Sequence, residues 1–172
     1  MRRTFQTVQV FGWLSVIDNV VAALDHEGGG GGLFADLIAS PTRRHRDAKR
    51  RVRALEALDR CGLAALASSP AGMLPIGHAR MLEVARALVQ TPAVLLLDEP
   101  TSGLDPEETA RLAGVIRGLV AENCAVVLVE HDIEFVMAES TRIVVLNLGE
   151  VIASGTPSEV RENQSVRSAY LG

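Results

Sequence analysis

The sequence predicts an α/β fold in which a helical block precedes a mainly parallel sheet with flanking helices. Two short runs, Val94–Leu97 and Ala125–Val129, are apolar on both faces, which is typical of parallel strands covered by helices. Between them the sequence marks a helix, so strand, helix and strand form one right-handed crossover unit. At 172 residues the chain has the length of one domain with its own core.

The first two helices are predicted from their ends and their apolar spacing. Ser15 can cap a helix that continues to Leu24. A second helix covers Arg43 to Cys61 and stops at Gly62. Its inner side is predicted to carry three apolar residues: Val52, Leu55 and Leu58. Glycines 28–32 lie between the two helices. A phosphate cradle would need a lysine or a helix cap directly after them, so a flexible loop is predicted instead.

The third and fourth helices flank the first strand. The third follows Gly77 and ends before Thr91. The fourth has a well-marked start, because Asp105 can cap it, Pro106 suits the first helical position and Glu108 completes a capping box. Its inner face is predicted to hold five residues at helical spacing: Leu112, Ala113, Ile116, Leu119 and Val120.

The end of the chain is predicted to be a hairpin and a helix. Ile143–Leu146 and Glu150–Ala153 flank the turn sequence Asn-Leu-Gly at 147–149. Thr156 and Glu159 form a second capping box, which begins the last helix.

The composition narrows the classes of protein to which the chain can belong. It is 48% hydrophobic and carries a net charge of −4, which gives no reason to expect nucleic acid, and aromatic residues are scarce at 3%. Cys61 and Cys124 lack metal-type spacing and fit two buried thiols in a reducing compartment. The N-terminus does not resemble a signal peptide, and the uncharged stretch 61–79 is broken by prolines and glycines. We expect a soluble, cytoplasmic protein.

Two adjacent carboxylates at the end of an apolar strand, Asp98 and Glu99, have the chemistry that a nucleotide hydrolase needs. One acid can hold the Mg²⁺ shell while the other polarises the attacking water. The alternative is a strand end at which two acids merely face solvent. Pro100 and the Ser-Gly-Leu-Asp sequence at 102–105 favour the catalytic interpretation. A lone histidine such as His131 is usually structural, but its Val-Glu-His-Asp context after the next strand favours a functional role.

These motifs together resemble the ATPase subunits of ABC (ATP-binding cassette) transporters, a family of P-loop ATPases. The resemblance implies that Asp98 binds Mg²⁺ and that Glu99 polarises the attacking water. It implies that His131 hydrogen-bonds the γ-phosphate and holds the water in line. Gln6 is matched to the family glutamine that reaches Mg²⁺ and the water, with a surface glutamine as the alternative. The loop at 102–105 is matched to the loop that crosses the family's dimer interface.

Residues 74–78, Leu-Pro-Ile-Gly-His, resemble the family's signature motif at a helix N-terminus. The resemblance implies that backbone N–H groups and the helix dipole there face the terminal phosphate bound by the opposite subunit. Pro75 stands where the usual serine does, so a hydroxyl contact is lost, whereas the close-approach glycine is kept as Gly77. The implied nucleotide-binding residues are Leu74, Pro75, Ile76, Gly77, His78 and Asp105.

Three finer features are similar to the ATPase subunits of branched-chain amino acid importers. They are the Leu-Pro-x-Gly start of the signature helix, the stretch 130–160 and the closing residues 166–172. The resemblance runs from Arg3 to the end, apart from the divergent residues 26–50. It implies ATP and Mg²⁺ as cofactors, a transmembrane permease and a second ATPase subunit as partners, and no nucleic acid. It also implies a place on the inner face of the cell membrane.

The family's first section has no counterpart in this sequence. No G-x-x-x-x-G-K-[ST] phosphate loop occurs, and Lys49 is the only lysine. The chain is therefore predicted to be a single incomplete ABC ATPase domain. Residues 12–90 would form a helical subdomain with the signature helix, and residues 91–172 would form the catalytic core with the C-terminal hairpin and helix.

Several functions stay open at this point. One is an importer ATPase in which two nucleotide domains enclose two ATP molecules. A soluble ABC ATPase acting on DNA or ribosomes is another, although such proteins usually carry long coiled coils or paired cassettes. The third is a truncated or split cassette without independent ATPase activity, since the missing lysine and loop supply most of the phosphate-binding energy. A basic run at 43–53 is usually a solvated helix surface, with nucleic acid or anionic lipid headgroups as alternatives.

Overall fold

The computed structural model describes residues 2–3, 10–24 and 41–171 of the chain. Gln6 and glycines 28–32 lie outside the described residues. The chain forms two compact units, the first up to Val129 and the second from Glu130. Within the described ranges, no helix combines the length and the apolar character that crossing a bilayer requires.

Three helices of the first unit pack against one another: α1 (Val16–Ala23), α2 (Pro41–Arg60) and α3 (Ile76–Leu88). The predicted cap of α1 is confirmed, because the Ser15 side chain accepts a hydrogen bond from the Asp18 N–H. The stop of α2 at Gly62 is also confirmed. That glycine has a φ of +71°, a left-handed conformation that ends a helix at little cost only for glycine.

The predicted inner face of α2 is wrong in part. Leu58 is fully buried, but Val52 and Leu55 are 55% and 41% exposed. The face that packs against α1 and α3 instead carries Ala54 and Ala57 beside Leu58. Small alanine side chains let α2 approach two helices at once, so the larger apolar residues are displaced to the rim of the contact.

The segment before α1 lies against the segment that leads to α3. The Val16 N–H donates to the Ser69 carbonyl at 2.9 Å, and the Gly72 N–H donates to the Gly12 carbonyl at 3.1 Å. A Cβ on Gly72 would come within 3.0 Å of the Gly12 carbonyl oxygen, so the two backbones meet at contact distance. Buried Asn19 fixes the segment before α1, because its side-chain oxygen accepts a hydrogen bond from the Phe11 N–H at 2.8 Å.

The first unit also contains a parallel sheet in the order β1-β2-β3, and its first strand precedes the helices along the chain. The strands are β1 (Arg2–Arg3), β2 (Val94–Asp98) and β3 (Ala125–Val129). The crossover helix α4 (Pro106–Ala121) connects β2 to β3, and its predicted capping box is present. The inner face of α4 is as predicted at four positions: Leu112, Ala113, Ile116 and Leu119. The fifth predicted position differs, since Val120 is 53% exposed.

The outer strand β3 is less covered than its apolar sequence predicts. Leu95 and Leu97 of β2 are buried, whereas Val127 and Val129 of β3 are 49% and 57% exposed. The reason is position in the sheet: β2 has a neighbour on both sides, and among the described residues β3 has one only on the β2 side. The α/β prediction is confirmed: β2, α4 and β3 follow the helical block, and β1, which precedes that block, adds a third parallel strand.

The second unit contains α5 (Ile133–Glu139), β4 (Ile143–Asn147), β5 (Glu150–Gly155), α6 (Pro157–Glu162) and α7 (Gln164–Val166), and a short π-helical turn at 167–171 closes it. The predicted hairpin is confirmed, since β4 and β5 pair antiparallel around Leu148 and Gly149, both at positive φ. The capping box at Thr156 is also confirmed, and its hydrogen bonds to the Glu159 carboxylate lower the pKa of that group. A small core of Ile143, Val160 and Val166 holds the unit together.

Candidate active site

The carboxylate pair lies at the carboxyl edge of the parallel sheet. Asp98 is the last residue of β2, and Glu99 follows it in a left-handed conformation with a φ of +46°. The Glu99 N–H donates to the Val129 carbonyl at 2.8 Å, so the ends of β2 and β3 stay aligned beyond the last paired residues. Both acids are half-buried. This edge is where ligands bind in parallel α/β sheets.

A tight loop connects Glu99 to α4. The Ser102 N–H donates to the Glu99 carbonyl at 3.2 Å, and the Leu104 N–H donates to the Thr101 carbonyl at 3.0 Å. Asp105 ends the loop as the N-cap of α4, where its side chain accepts from the Glu108 N–H at 2.8 Å. The predicted loop at 102–105 is therefore an ordered turn between the carboxylates and the helix.

The predicted signature residues form the start of α3. Pro75 is the N-cap and makes no side-chain hydrogen bond to the helix, so the first turn of this thirteen-residue helix has no side-chain cap. Leu74 and His78 are half-buried, Pro75 and Ile76 are exposed, and Gly77 is buried. An uncapped first turn directs N–H groups outward, which is the arrangement that binds phosphate.

The start of α3 lies directly against the loop at 102–105 and the start of α4. A Cβ on Gly103 would come within 3.3 Å of the Ile76 side chain. At Gly77 no room exists for a Cβ, because the Glu108 carboxylate lies against the Gly77 backbone. The same carboxylate accepts from the Asp105 N–H at 2.9 Å. The structure thus places Ile76 and Gly77, at the start of α3, beside the loop at 102–105 and beside the Glu108 carboxylate that binds the Asp105 N–H.

Arg80 joins the two motifs, and the sequence interpretation missed it. Its side chain is buried, and its Nε–H donates to the Ser102 carbonyl at 3.2 Å. A buried arginine fixes a loop firmly, since its guanidinium is rigid and always charged. A single arginine inside the apolar Ala-Arg-Met-Leu stretch was the signal that could have revealed it.

His131 belongs to the second unit and lies one residue before Asp132, which is the N-cap of α5. Its side chain is exposed, and its Nδ1 lies 3.8 Å from a carboxylate oxygen of Glu130. The same Glu130 oxygen accepts from the His131 N–H at 3.1 Å. Asp132 caps α5 by accepting from the Phe135 N–H at 3.0 Å. The histidine therefore stands on an ordered helix start, with an acid beside it.

The donors present suit a metal ion that is shared with a phosphate ligand. Across residues 10–24 and 41–171, no three His, Cys, Asp or Glu side chains gather into a cage of their own. Mg²⁺ does not need such a cage, because it is usually held by one or two carboxylates together with substrate phosphates and water. Asp98, at the carboxyl edge of the sheet, could supply such a carboxylate to an ion that is shared with a phosphate ligand.

The chain is similar in sequence and fold to proteins that have been described before. The family model described as "ABC transporter" matches residues 1–102, and that described as "Branched-chain amino acid ATP-binding cassette transporter" matches residues 150–172. The chain is 42% identical over 171 residues to the high-affinity branched-chain amino acid transport ATP-binding protein LivG of Escherichia coli K12. It is 39% identical to BraF of Pseudomonas aeruginosa, which carries the same description. The match covers 99% of this chain and 67% of each relative.

A solved structure shares the fold. The dimeric ATP-binding cassette MJ0796, in a post-hydrolysis state bound to ADP and Pi, superposes with a TM-score of 0.74 at 27% sequence identity. The superposition covers 90% of this chain but 62% of that protein, so this chain spans less than two thirds of the cassette.

Proposed function

Because the chain belongs to the ABC transporter family of ATP-binding proteins, of the LivG and BraF type, we propose that it serves as the ATP-binding and ATP-hydrolysing subunit of an importer. Its relatives are ATP-binding subunits of branched-chain amino acid transport, so the proposed solutes are branched-chain amino acids or related small molecules. The observation that carries the proposal is the half-buried pair Asp98 and Glu99 at the carboxyl edge of β2.

The proposed chemistry divides between the two acids and two helpers. Asp98 holds Mg²⁺, which when bound would neutralise charge on the phosphates. Glu99 accepts a proton from the attacking water. The hydrogen bond from its N–H to the Val129 carbonyl fixes the backbone position from which the Glu99 side chain extends. His131 is the proposed partner of the γ-phosphate. Gln6, which lies outside the described residues, is the proposed further contact to Mg²⁺ and the water.

The proposed partner surface is the start of α3 with the loop at 102–105. The first-turn N–H groups of Ile76, Gly77 and His78 would face the nucleotide of a second ATPase subunit, with Leu74, Pro75 and Asp105 beside them. Support for a second subunit comes from MJ0796, whose structure is a dimer. A transmembrane permease is the other proposed partner, which would hold this subunit at the inner face of the membrane. No nucleic acid is part of the proposal.

The proposal treats the chain as one incomplete cassette. Residues 12–90 form its helical subdomain and signature helix, and residues 91–172 form its catalytic core. The alternative is a split cassette that lacks independent ATPase activity and supplies only signature and interface elements. The relatives extend well beyond the matched part, since the chain spans 67% of their length. A test of the catalytic assignment therefore requires a cassette completed with an N-terminal segment that carries a phosphate loop.

In the completed cassette, Glu99→Gln should lower the ATP hydrolysis rate by about 10²-fold or more, because the group that accepts a proton is lost. ATP binding should survive, and the closed dimer should accumulate. His131→Ala should slow turnover similarly without abolishing binding. Glu122→Gln is the matched control, since Glu122 is exposed and pairs with Arg60 at 3.1 Å. Hydrolysis by the Glu99→Gln protein at nearly the parental rate would show that the carboxylate assignment is wrong.

A further inference from the structure

The positive charge of this acidic protein is concentrated on one helix. Seven of its 17 lysines and arginines lie at 43–53, a segment with one acid, Asp47, so that the segment carries a formal charge of +6. The remaining residues hold ten basic and 20 acidic side chains, a charge of −10. We call residues 43–53 of α2 the basic segment. The net charge of the basic segment is therefore opposite in sign to the net charge of the rest of the molecule.

Helix stability does not account for the basic segment. It lies mostly in the N-terminal half of α2, and the first turn of that helix contains no acid. The partial positive charge at a helix N-terminus disfavours lysine and arginine there and favours acids. The cations at positions 43 and 44 thus stand in the first turn, where the helix dipole opposes them, so their presence does not serve the stability of the helix.

Packing accounts for only part of the basic segment. The Arg53 guanidinium donates to the Val89 carbonyl at 2.7 Å, and Arg51 lies 3.5 Å from the Asp18 carboxylate. Both contacts belong to the second half of the segment. Residues 45–49, which include Arg46 and Lys49, are all exposed, and from residue 45 onward the first buried residue of α2 is Ala54. Residues 45–49 are therefore a charged helix surface open to solvent.

The electrostatic field of this charged surface acts only over a short distance. Ten residues of helix separate positions 43 and 53, a span of about 15 Å at the usual rise per residue. In about 0.1 M salt, charges further away than about 10 Å are largely screened. A ligand at the basic segment consequently experiences its positive charge, reduced by near acids such as Asp18, and little of the charge of the more distant acidic residues. Such a surface can bind an extended array of anions even though the whole protein is acidic.

We propose that the basic segment docks on the anionic headgroups of a membrane surface. Clusters of lysine and arginine on an exposed helix are attracted to anionic lipids, each residue near the surface strengthening binding roughly fivefold. Nucleic acid is the less suitable polyanion, because the chain is only 3% aromatic and offers few side chains on which bases could stack. The choice of a membrane rests on the proposed function, which places this subunit beneath a permease.

Vesicle flotation with the 172-residue chain tests the proposal. The chain should bind vesicles of phosphatidylcholine mixed with phosphatidylglycerol, should not bind phosphatidylcholine alone, and should be released by high salt. Arg46→Gln combined with Lys49→Gln should weaken binding by about 25-fold, from two contributions of about fivefold each. The matched control is Arg161→Gln with Arg167→Gln, which removes the same charge from exposed sites of the second unit. Circular dichroism should show unchanged helix content in all variants.

Three outcomes would overturn the proposal. The first is equal binding of the chain to neutral and anionic vesicles, and the second is that the control pair weakens vesicle binding as much as Arg46→Gln with Lys49→Gln does. The third is displacement of the chain from vesicles by duplex or single-stranded nucleic acid at a phosphate concentration lower than that of the lipid. None of these measurements uses nucleotide. A failure of the Glu99→Gln hydrolysis test would therefore leave the vesicle result standing, and a failure here would leave the hydrolysis result standing.

Discussion

The contact between Gly77 and the Glu108 carboxylate makes a quantitative prediction about stability. Gly77→Ala replaces a helical glycine, which alone would stabilise the protein by at most about 1 kcal/mol. The new Cβ must displace the Glu108 carboxylate, which holds the Asp105 N–H at 2.9 Å. Losing that half of the capping box costs about 1 kcal/mol. The two effects nearly cancel, so Gly77→Ala should leave the free energy of unfolding unchanged or lower it by up to about 1 kcal/mol.

The prediction is sharper in a double-mutant cycle. In a Glu108→Ala background nothing has to be displaced, so Gly77→Ala should stabilise the protein, and the coupling free energy should be about 1 kcal/mol. Urea unfolding followed by far-UV circular dichroism and by the fluorescence of Trp13, the only tryptophan, measures it. Gly114→Ala is the control, since a Cβ there meets nothing within 4 Å. It should show no coupling to Glu108. Effects of Gly77→Ala that agree within about 0.3 kcal/mol in the two backgrounds would refute the reasoning.

Three further predictions concern binding, association and thiol chemistry. The 172-residue chain by itself should bind Mg-ATP weakly or not at all, because Asp98 and Glu99 add negative charge without a phosphate-loop lysine; micromolar affinity in calorimetry would contradict this. The exposed apolar strand β3 should make the same chain self-associate, and Val127→Lys should reduce that association as measured by sedimentation velocity. A parental chain that sediments as a single monomeric species would contradict this prediction. Burial raises the pKa of Cys61 to about 12, so iodoacetamide at pH 9 should modify it slowly in the native protein and quickly in urea. Rapid alkylation of the native protein would disprove the burial argument. Between about pH 9 and pH 12 the folded state keeps the thiol proton of Cys61 while the unfolded state loses it, so the free energy of unfolding should fall as the pH rises through this range.

The sequence predicted best those features that are decided within a few residues. The caps at Ser15, Asp105 and Thr156 are all present, because a capping side chain and the N–H groups that it binds lie within three positions of each other. The turn at Leu148 and Gly149 is local in the same sense. The acid pair could likewise be placed at a strand end from the order of residues alone.

Contacts between distant segments could not be predicted in this way. Periodicity places Val52 and Leu55 on an apolar stripe, but the close approach of α2 to two other helices selects the alanines beside them. The bond from Arg80 to Ser102 joins residues 22 positions apart, and no local pattern specifies it. His131 and Glu99 are also far apart in the sequence, and their joint action stays a prediction.

The left-handed backbone of Glu99 has a consequence for how this position responds to mutation and selection. A residue with a side chain costs roughly 1–2 kcal/mol in this conformation, and glycine avoids that cost. A library sorted only for thermal stability should therefore enrich glycine at position 99, and asparagine after it, at the expense of the acid. A library sorted for transport should keep glutamate despite the strain. The frequency of glycine at this one position would then show whether a natural or laboratory lineage has been retained for its activity or only for its fold.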